Sequence, residues 1–218
     1  MFTQILWTHF KWSRAILAAF AVIAFATPSL AWRIGDTGSY GAPGPVAVMM
    51  GFSAVGPILI VTAILLGFLV VAHIWNIDGA AKHVYPLSLP IPWKSYVTMR
   101  FGAGALSLLV PAAALWLGSL LAISLVEVPA SLNVYPGTLA LRFLLGALLA
   151  YSLSFLLQYL AGRRAPVVLL TLLVSGVALP LALSLFGNEA LLLSIGRLLT
   201  EWPGPLAVFA TEWRLIDV

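Results

Sequence analysis

Residues 47–72 read AVMMGFSAVGPILIVTAILLGFLVVA, from Ala47 to Ala72, without one charged side chain. An apolar helix needs about 20 residues to cross the hydrocarbon core of a bilayer, and this run exceeds that length. A central Lys, Arg or Asp would cost about 2.5–3.5 kcal/mol on insertion, and none is present. Four more charge-free stretches qualify or nearly so: Ala15–Ala31, Phe101–Val126, Phe143–Ala161 and Ala165–Phe186. The expectation is an all-α fold, a polytopic transmembrane helix bundle of five spans forming a single domain over residues 1–218. The two longest runs, Ala47–Ala72 and Phe101–Val126, should tilt or project beyond the membrane.

Composition agrees. Of 218 residues, 62% are hydrophobic and 8% charged, against about 45–50% and about 25% in a soluble domain. So few charges could not cover a cytosolic globule, and so apolar a chain is not disordered. The net charge of +4 is eleven Lys and Arg against seven Asp and Glu. They are thinly spread, with no basic run longer than Arg163-Arg164, so no nucleic-acid partner is indicated. Without cysteine, disulfides, thiolate metal sites and a Cys nucleophile are excluded.

The connections set an orientation. With the N-terminus in the cytoplasm, the inside holds Lys11, Arg14, Lys82, Lys94, Arg100, Arg163 and Arg164, and the outside Arg33, Arg142, Arg197 and Arg214. That satisfies the positive-inside rule, and five spans leave the C-terminus external. The expected location is a bacterial-type plasma membrane. Lys11, Arg14, the run from Ala15 and then Ser29-Leu30-Ala31 also resemble a cleavable signal peptide. Retention of the first span is expected, because Trp32-Arg33 reads as an interfacial anchor.

Two flanking segments look amphipathic. Phe2, Ile5, Leu6 and His9 share one face of an N-terminal helix lying in the membrane interface, with Trp7 and Trp12 as anchors. In the external tail, residues 187–218, Leu191, Leu192, Ile195, Leu198, Leu199 and Trp202 recur at helical spacing. Pro203-Gly204-Pro205 ends that segment.

Chemistry within the spans is sparse. Gly51-Phe52-Ser53-Ala54-Val55-Gly56 could suggest an intramembrane serine site, but no span carries a His or Lys base for it. Small residues that let helices approach are the plainer reading. His73 and His83, ten residues apart, are poor metal ligands. No Walker loop occurs, and no ionisable relay lies inside a span. No catalytic, metal or cofactor site is expected on this chain.

The informative connection is cytoplasmic, residues 73–100. Asp78-Gly79 can open a short helix, since an acid suits a helix N-terminus, and Lys82 and His83 would follow on it. Pro86, Pro90 and Pro92 stiffen the return, with Pro92 suited to the first position of the next helix. The stretch Leu87-Ser88-Leu89-Pro90-Ile91-Pro92-Trp93-Lys94-Ser95-Tyr96-Val97-Thr98-Met99-Arg100-Phe101 resembles the ABC-2 type permeases of ABC transporters. Leu89-Pro90-Ile91, Lys94, Tyr96 and Arg100 stand at matching places, and Asp78-Gly79 falls where that family often has an acid and Gly before its coupling helix. Pro92 and Trp93 replace a Ser and a basic residue. The family usually has six spans, whereas five qualify here. A short form, a truncated product or a subunit completed by a partner each account for the difference.

The resemblance implies a permease subunit that is not itself an enzyme. Its partners would be a cytoplasmic ATP-binding-cassette ATPase and a second permease chain. The coupling segment would comprise Asp78, Gly79, Lys82, His83, Leu89, Pro90, Pro92, Lys94, Tyr96 and Arg100. A lining without buried charge suits a lipid-like or amphipathic cargo. The rival reading is a non-transporting membrane scaffold or assembly factor.

Overall fold

A computed structural model describes residues 1–38, 45–80, 92–164, 206–210 and 213–217, with residues 167, 168, 171, 194, 196–198, 200, 201 and 204. The fold is all-α, with helices long and apolar enough to make a multi-pass membrane bundle. The elements are α1 (Phe2–Gly38), α2 (Pro45–Phe52), α3 (Val55–Ala80), α4 (Trp93–Ser107), α5 (Leu109–Ser124), β1 (Asn133–Val134), α6 (Pro136–Ala161), α7 (Ala207–Ala210) and β2 (Ile216–Asp217). Among the described residues, four helical stretches could cross a membrane: Phe2–Arg33, Pro45–Ile77, Trp93–Ser124 and Pro136–Ala161. The fifth expected span, Ala165–Phe186, lies outside the described residues apart from 167, 168 and 171, which are helical.

The chain divides into two compact units, Met1–Ser154 with Trp213–Val218, and Phe155–Glu212. In the first, α1 packs against α2, α3, α4 and α5. Its inward stripe is Ile5, His9, Ser13, Leu17, Phe20, Ala24, Thr27 and Ala31, all buried, which is the spacing of one helical face. Its outward residues are apolar too: Val22 is 67% exposed, and Val61 of α3 is 56% exposed. A helix that is hydrophobic all round suits lipid and not water. The separate N-terminal interfacial helix expected from the sequence is not an element of its own, since residues 2–14 run without a break into the first span as α1.

Helix contacts are set by small residues. A Cβ on Gly118 of α5 would strike the backbone of Phe25 in α1, and one on Gly67 of α3 would lie 2.6 Å from the Tyr151 backbone nitrogen in α6. Such bare surfaces bring backbones close where no hydrophobic force drives helices together. Hydroxyls inside the helices turn back on their own carbonyls: Ser13 to His9, Thr62 to Ile58 and Ser152 to Leu148, at 2.7–2.8 Å. This satisfies the polar group without a partner helix.

Two spans are broken, each three to four residues before a proline. Pro57 has no N–H for the Ser53 carbonyl and Pro111 none for that of Ser107. Helix α2 gives way to α3 at Ser53-Ala54, and α4 to α5 at Leu108. At Leu108 the backbone stays helical, but its N–H donates to the Ala105 carbonyl at 3.3 Å, a tighter turn. Helix α6 ends at Gly162, whose φ of 51° is the left-handed conformation that suits glycine.

The far end of this unit is closed by the segment 213–217. β2 pairs antiparallel with β1, Asn133 opposite Asp217 and Val134 opposite Ile216. The Tyr135 N–H donates to the Leu215 carbonyl at 2.9 Å. Trp213 packs against Gly56 at the start of α3, and Trp32 stacks on Phe52 nearby, centroids 5.4 Å apart. Helix α1 starts at the opposite end, where Phe2 approaches Gly102 and Ile5 packs with Tyr96 and Ala103.

Candidate functional site

The site is where the 73–100 connection leaves α3 and re-enters the bundle as α4. Pro92 caps α4 with φ −58° and ψ 140°. It therefore stands just before the helix, one position earlier than expected, and its carbonyl accepts the first bond, from the Tyr96 N–H at 3.1 Å. Trp93 is exposed and stacks on Tyr96, centroids 5.7 Å apart. One turn later comes Arg100, on the same face because i and i+4 are helix neighbours.

Tyr96 and Arg100 are buried, 3% and 5% exposed. Arg100 Nη1 donates to the Tyr96 hydroxyl at 3.0 Å and Nη2 to the Ile74 carbonyl of α3 at 3.3 Å. The guanidinium lies 5.3 Å from the Trp75 ring centroid and 5.7 Å from that of Tyr96, within reach of cation–π attraction. From α1, Ile5, Thr8, His9 and Trp12 close over Ile74, Tyr96 and Arg100 around a void of about 10 Å³, room for about one water. His73 Nε2 is 3.1 Å from the Trp12 carbonyl. His9 is 4% exposed, and neither ring nitrogen has a hydrogen-bond partner among the described residues. Against the α4 helix, Tyr151 of α6 donates to the Phe101 carbonyl at 3.2 Å.

This arrangement ties two helices together through one side chain. One cation ties the entry of α4 to the end of α3, and aromatic rings from three elements shield it. Among the described residues no group of three or more His, Cys, Asp or Glu is placed to hold a metal.

Of the coupling-segment residues named from the sequence, the structure brings together only Tyr96 and Arg100. Pro92 and Lys94 are exposed. Asp78 and Gly79 lie in the last turn of α3, which runs to Ala80, so they do not open a new helix as expected. The charge-free run stops at Ala72, but the helix continues, because leaving the hydrocarbon does not require it to end. Lys82, His83, Leu89 and Pro90 lie outside the described residues. The Gly51–Gly56 stretch serves packing: Gly51 faces the Trp32 ring, and Ser53 Oγ donates to the Met50 carbonyl at 2.8 Å. The sequence reading missed Ile74 and Trp75 as the partners of Arg100. A backbone carbonyl and an aromatic one helix away leave no local signal, whereas the place of His9 beside Ile5 was visible as a shared face.

Comparison with protein families, characterised proteins and solved structures finds no match to this chain.

Proposed function

We propose that the chain is the membrane-spanning permease subunit of an ATP-driven transporter of the ABC-2 type, working with a separate ATPase and a second permease chain. The observation that carries the reading is the joint at Arg100. A force applied to the cytoplasmic connection must reach the bundle through its anchor points, and here the returning end is tied to α3 by one hydrogen bond from a buried guanidinium to the Ile74 carbonyl, with Tyr96 of the same helix holding the guanidinium in place. The proline-rich path from Pro86 to Pro92 suits transmission, because proline restricts the backbone. The resemblance of Leu89-Pro90-Ile91, Lys94, Tyr96 and Arg100 to the family pattern supplies the rest.

The placement of residues 213–217 at the end of the first unit opposite Phe2 and Ile5 supports an odd number of crossings, and the excess of Lys and Arg in the connections on the N-terminal side favours a cytoplasmic N-terminus and an external C-terminus. An apolar bundle favours a lipid-like or amphipathic cargo over an ion.

The test is co-purification. Gentle extraction from native membranes should bring down a nucleotide-binding subunit in stoichiometric amount, and Ala81→Pro should uncouple its ATP hydrolysis from transport in proteoliposomes. A chain that purifies alone under every condition favours the scaffold reading. So does normal transport by a well-expressed Ala81→Pro variant.

A further inference from the structure

His9 is a buried polar side chain of α1 whose needs its own helix does not meet. It is 4% exposed, and neither Nδ1 nor Nε2 has a hydrogen-bond partner among the described residues. The hydroxyls on the same stripe, Ser13 and Thr27, turn back on the carbonyls four residues earlier. His9 makes no such bond and needs a partner from outside the helix. A neutral imidazole carries one N–H donor and one acceptor nitrogen, and the large majority of buried polar atoms in native proteins have a partner, from the protein or from ordered water. The ring borders the space of about 10 Å³ between α1, α3 and α4, which is about the room that one water molecule needs. The space is also polar. Thr8 adjoins His9 there, and Tyr96 and Arg100 border it from α4, whereas cavities that stay dry are apolar.

We infer that this space is the binding site of a single ordered water, hydrogen-bonded to the His9 imidazole where α1 meets the Tyr96–Arg100 pair. Size selects the occupant, because an acyl chain, a lipid headgroup or a polyatomic anion is larger than one water. Chemistry selects it too. Water both donates and accepts, and so it satisfies the ring nitrogen that faces the space in either tautomer. The guanidinium keeps its bonds to the Tyr96 hydroxyl and the Ile74 carbonyl, and the water needs none of its donors. A water seated here serves a permease or a scaffold alike, so the site stands apart from transport.

The experiment is a crystal structure of the full-length chain, at a resolution that shows ordered water, for the wild type and for His9→Phe, which keeps a ring and removes both nitrogens. The expected result is an isolated density peak about 2.7–3.2 Å from one His9 ring nitrogen, lost in His9→Phe. A map that shows ordered water elsewhere but no peak at His9 overturns the site, as does density there that is continuous with a side chain or a lipid. A peak that persists in His9→Phe means that other groups hold the water, and overturns the part given to His9. Crystals grown in bromide separate water from a halide: an anomalous signal at the peak overturns the assignment to water. Nitrogen NMR of the wild-type chain in bilayers, with histidine labelled and the His9 signals assigned through its backbone, reads the same bond without a variant. Magnetisation transfer from water protons to a His9 ring nitrogen is expected, and its lack overturns the site.

Discussion

Removing the Tyr96 hydroxyl measures the joint most directly. Tyr96→Phe keeps the ring, and with it the 5.7 Å approach of the guanidinium, and deletes only the oxygen that accepts from Arg100 at 3.0 Å. A hydrogen bond to a charged group contributes about 1.5–3 kcal/mol, so the variant should lose that much. Arg100→Met loses more contacts: the Tyr96 bond, the 3.3 Å bond to the Ile74 carbonyl and the Trp75 ring contact at 5.3 Å. It also releases the desolvation penalty of a buried cation, itself several kcal/mol. The two effects oppose, so the single change should cost only about 1–3 kcal/mol, less than the sum of its lost contacts. The double-mutant cycle separates them. Once Arg100 is gone, Tyr96→Phe should cost almost nothing, which gives a coupling energy of about 1.5–3 kcal/mol. Equilibrium unfolding in mixed detergent micelles, followed by fluorescence and helicity together, supplies the four stabilities. If the single changes add within about 0.5 kcal/mol, the limit for independent sites, the Tyr96 hydroxyl does not hold the guanidinium that reaches Ile74, and the reading of the site fails.

Gly118→Leu should destabilise the chain by about 1–3 kcal/mol or more, because its Cβ has no room against the Phe25 backbone; a variant with unchanged unfolding would mean that α1 and α5 stand apart. Ser119→Ala should be neutral or stabilising by up to about 1 kcal/mol, since the Ser119 hydroxyl is 0% exposed with no partner among the described residues and an unsatisfied buried group is costly; a clear loss of stability would reveal a partner. A reporter fused after Val218 should be active only in the external compartment, and cytoplasmic activity would contradict an odd number of crossings.

The bundle was legible because insertion energetics depend on composition alone. Ala15–Ala31 and Phe143–Ala161 fall inside α1 and α6, whereas Ala47–Ala72 runs across α2 and α3, and Phe101–Val126 runs across α4 and α5 and two residues past Ser124. The helix ends were not legible from charge. Helix α6 begins at Pro136 and carries Arg142, ahead of Phe143, and α4 begins at Trp93 with Arg100 inside it. A charge-free window reports where the hydrocarbon begins, whereas a helix continues as long as its backbone bonds are made. The site divides in the same way. Tyr96 and Arg100 share a face by spacing, so their pairing is local. Their attachment to Ile74 depends on how α3 and α4 lie side by side, which no spacing within either helix encodes.

The two helix breaks have one origin. In hydrocarbon a freed carbonyl must find another donor, and Pro57 frees the one at Ser53. Helix α2 ends there, and the Ser53 hydroxyl and N–H both donate to the Met50 carbonyl, at 2.8 and 3.1 Å, so that the last turn closes on itself. Ser107 responds alike four residues before Pro111, its hydroxyl donating to the Gly104 carbonyl at 2.7 Å. Pro28 does not end α1, and the residue four before it is Ala24, which has no hydroxyl to turn the chain. A serine four residues ahead of a proline thus marks both breaks. Only the first lies at the end of the bundle where another segment can enter. There Gly56 leaves room for Trp213, and residues 213–216 lie beside α2.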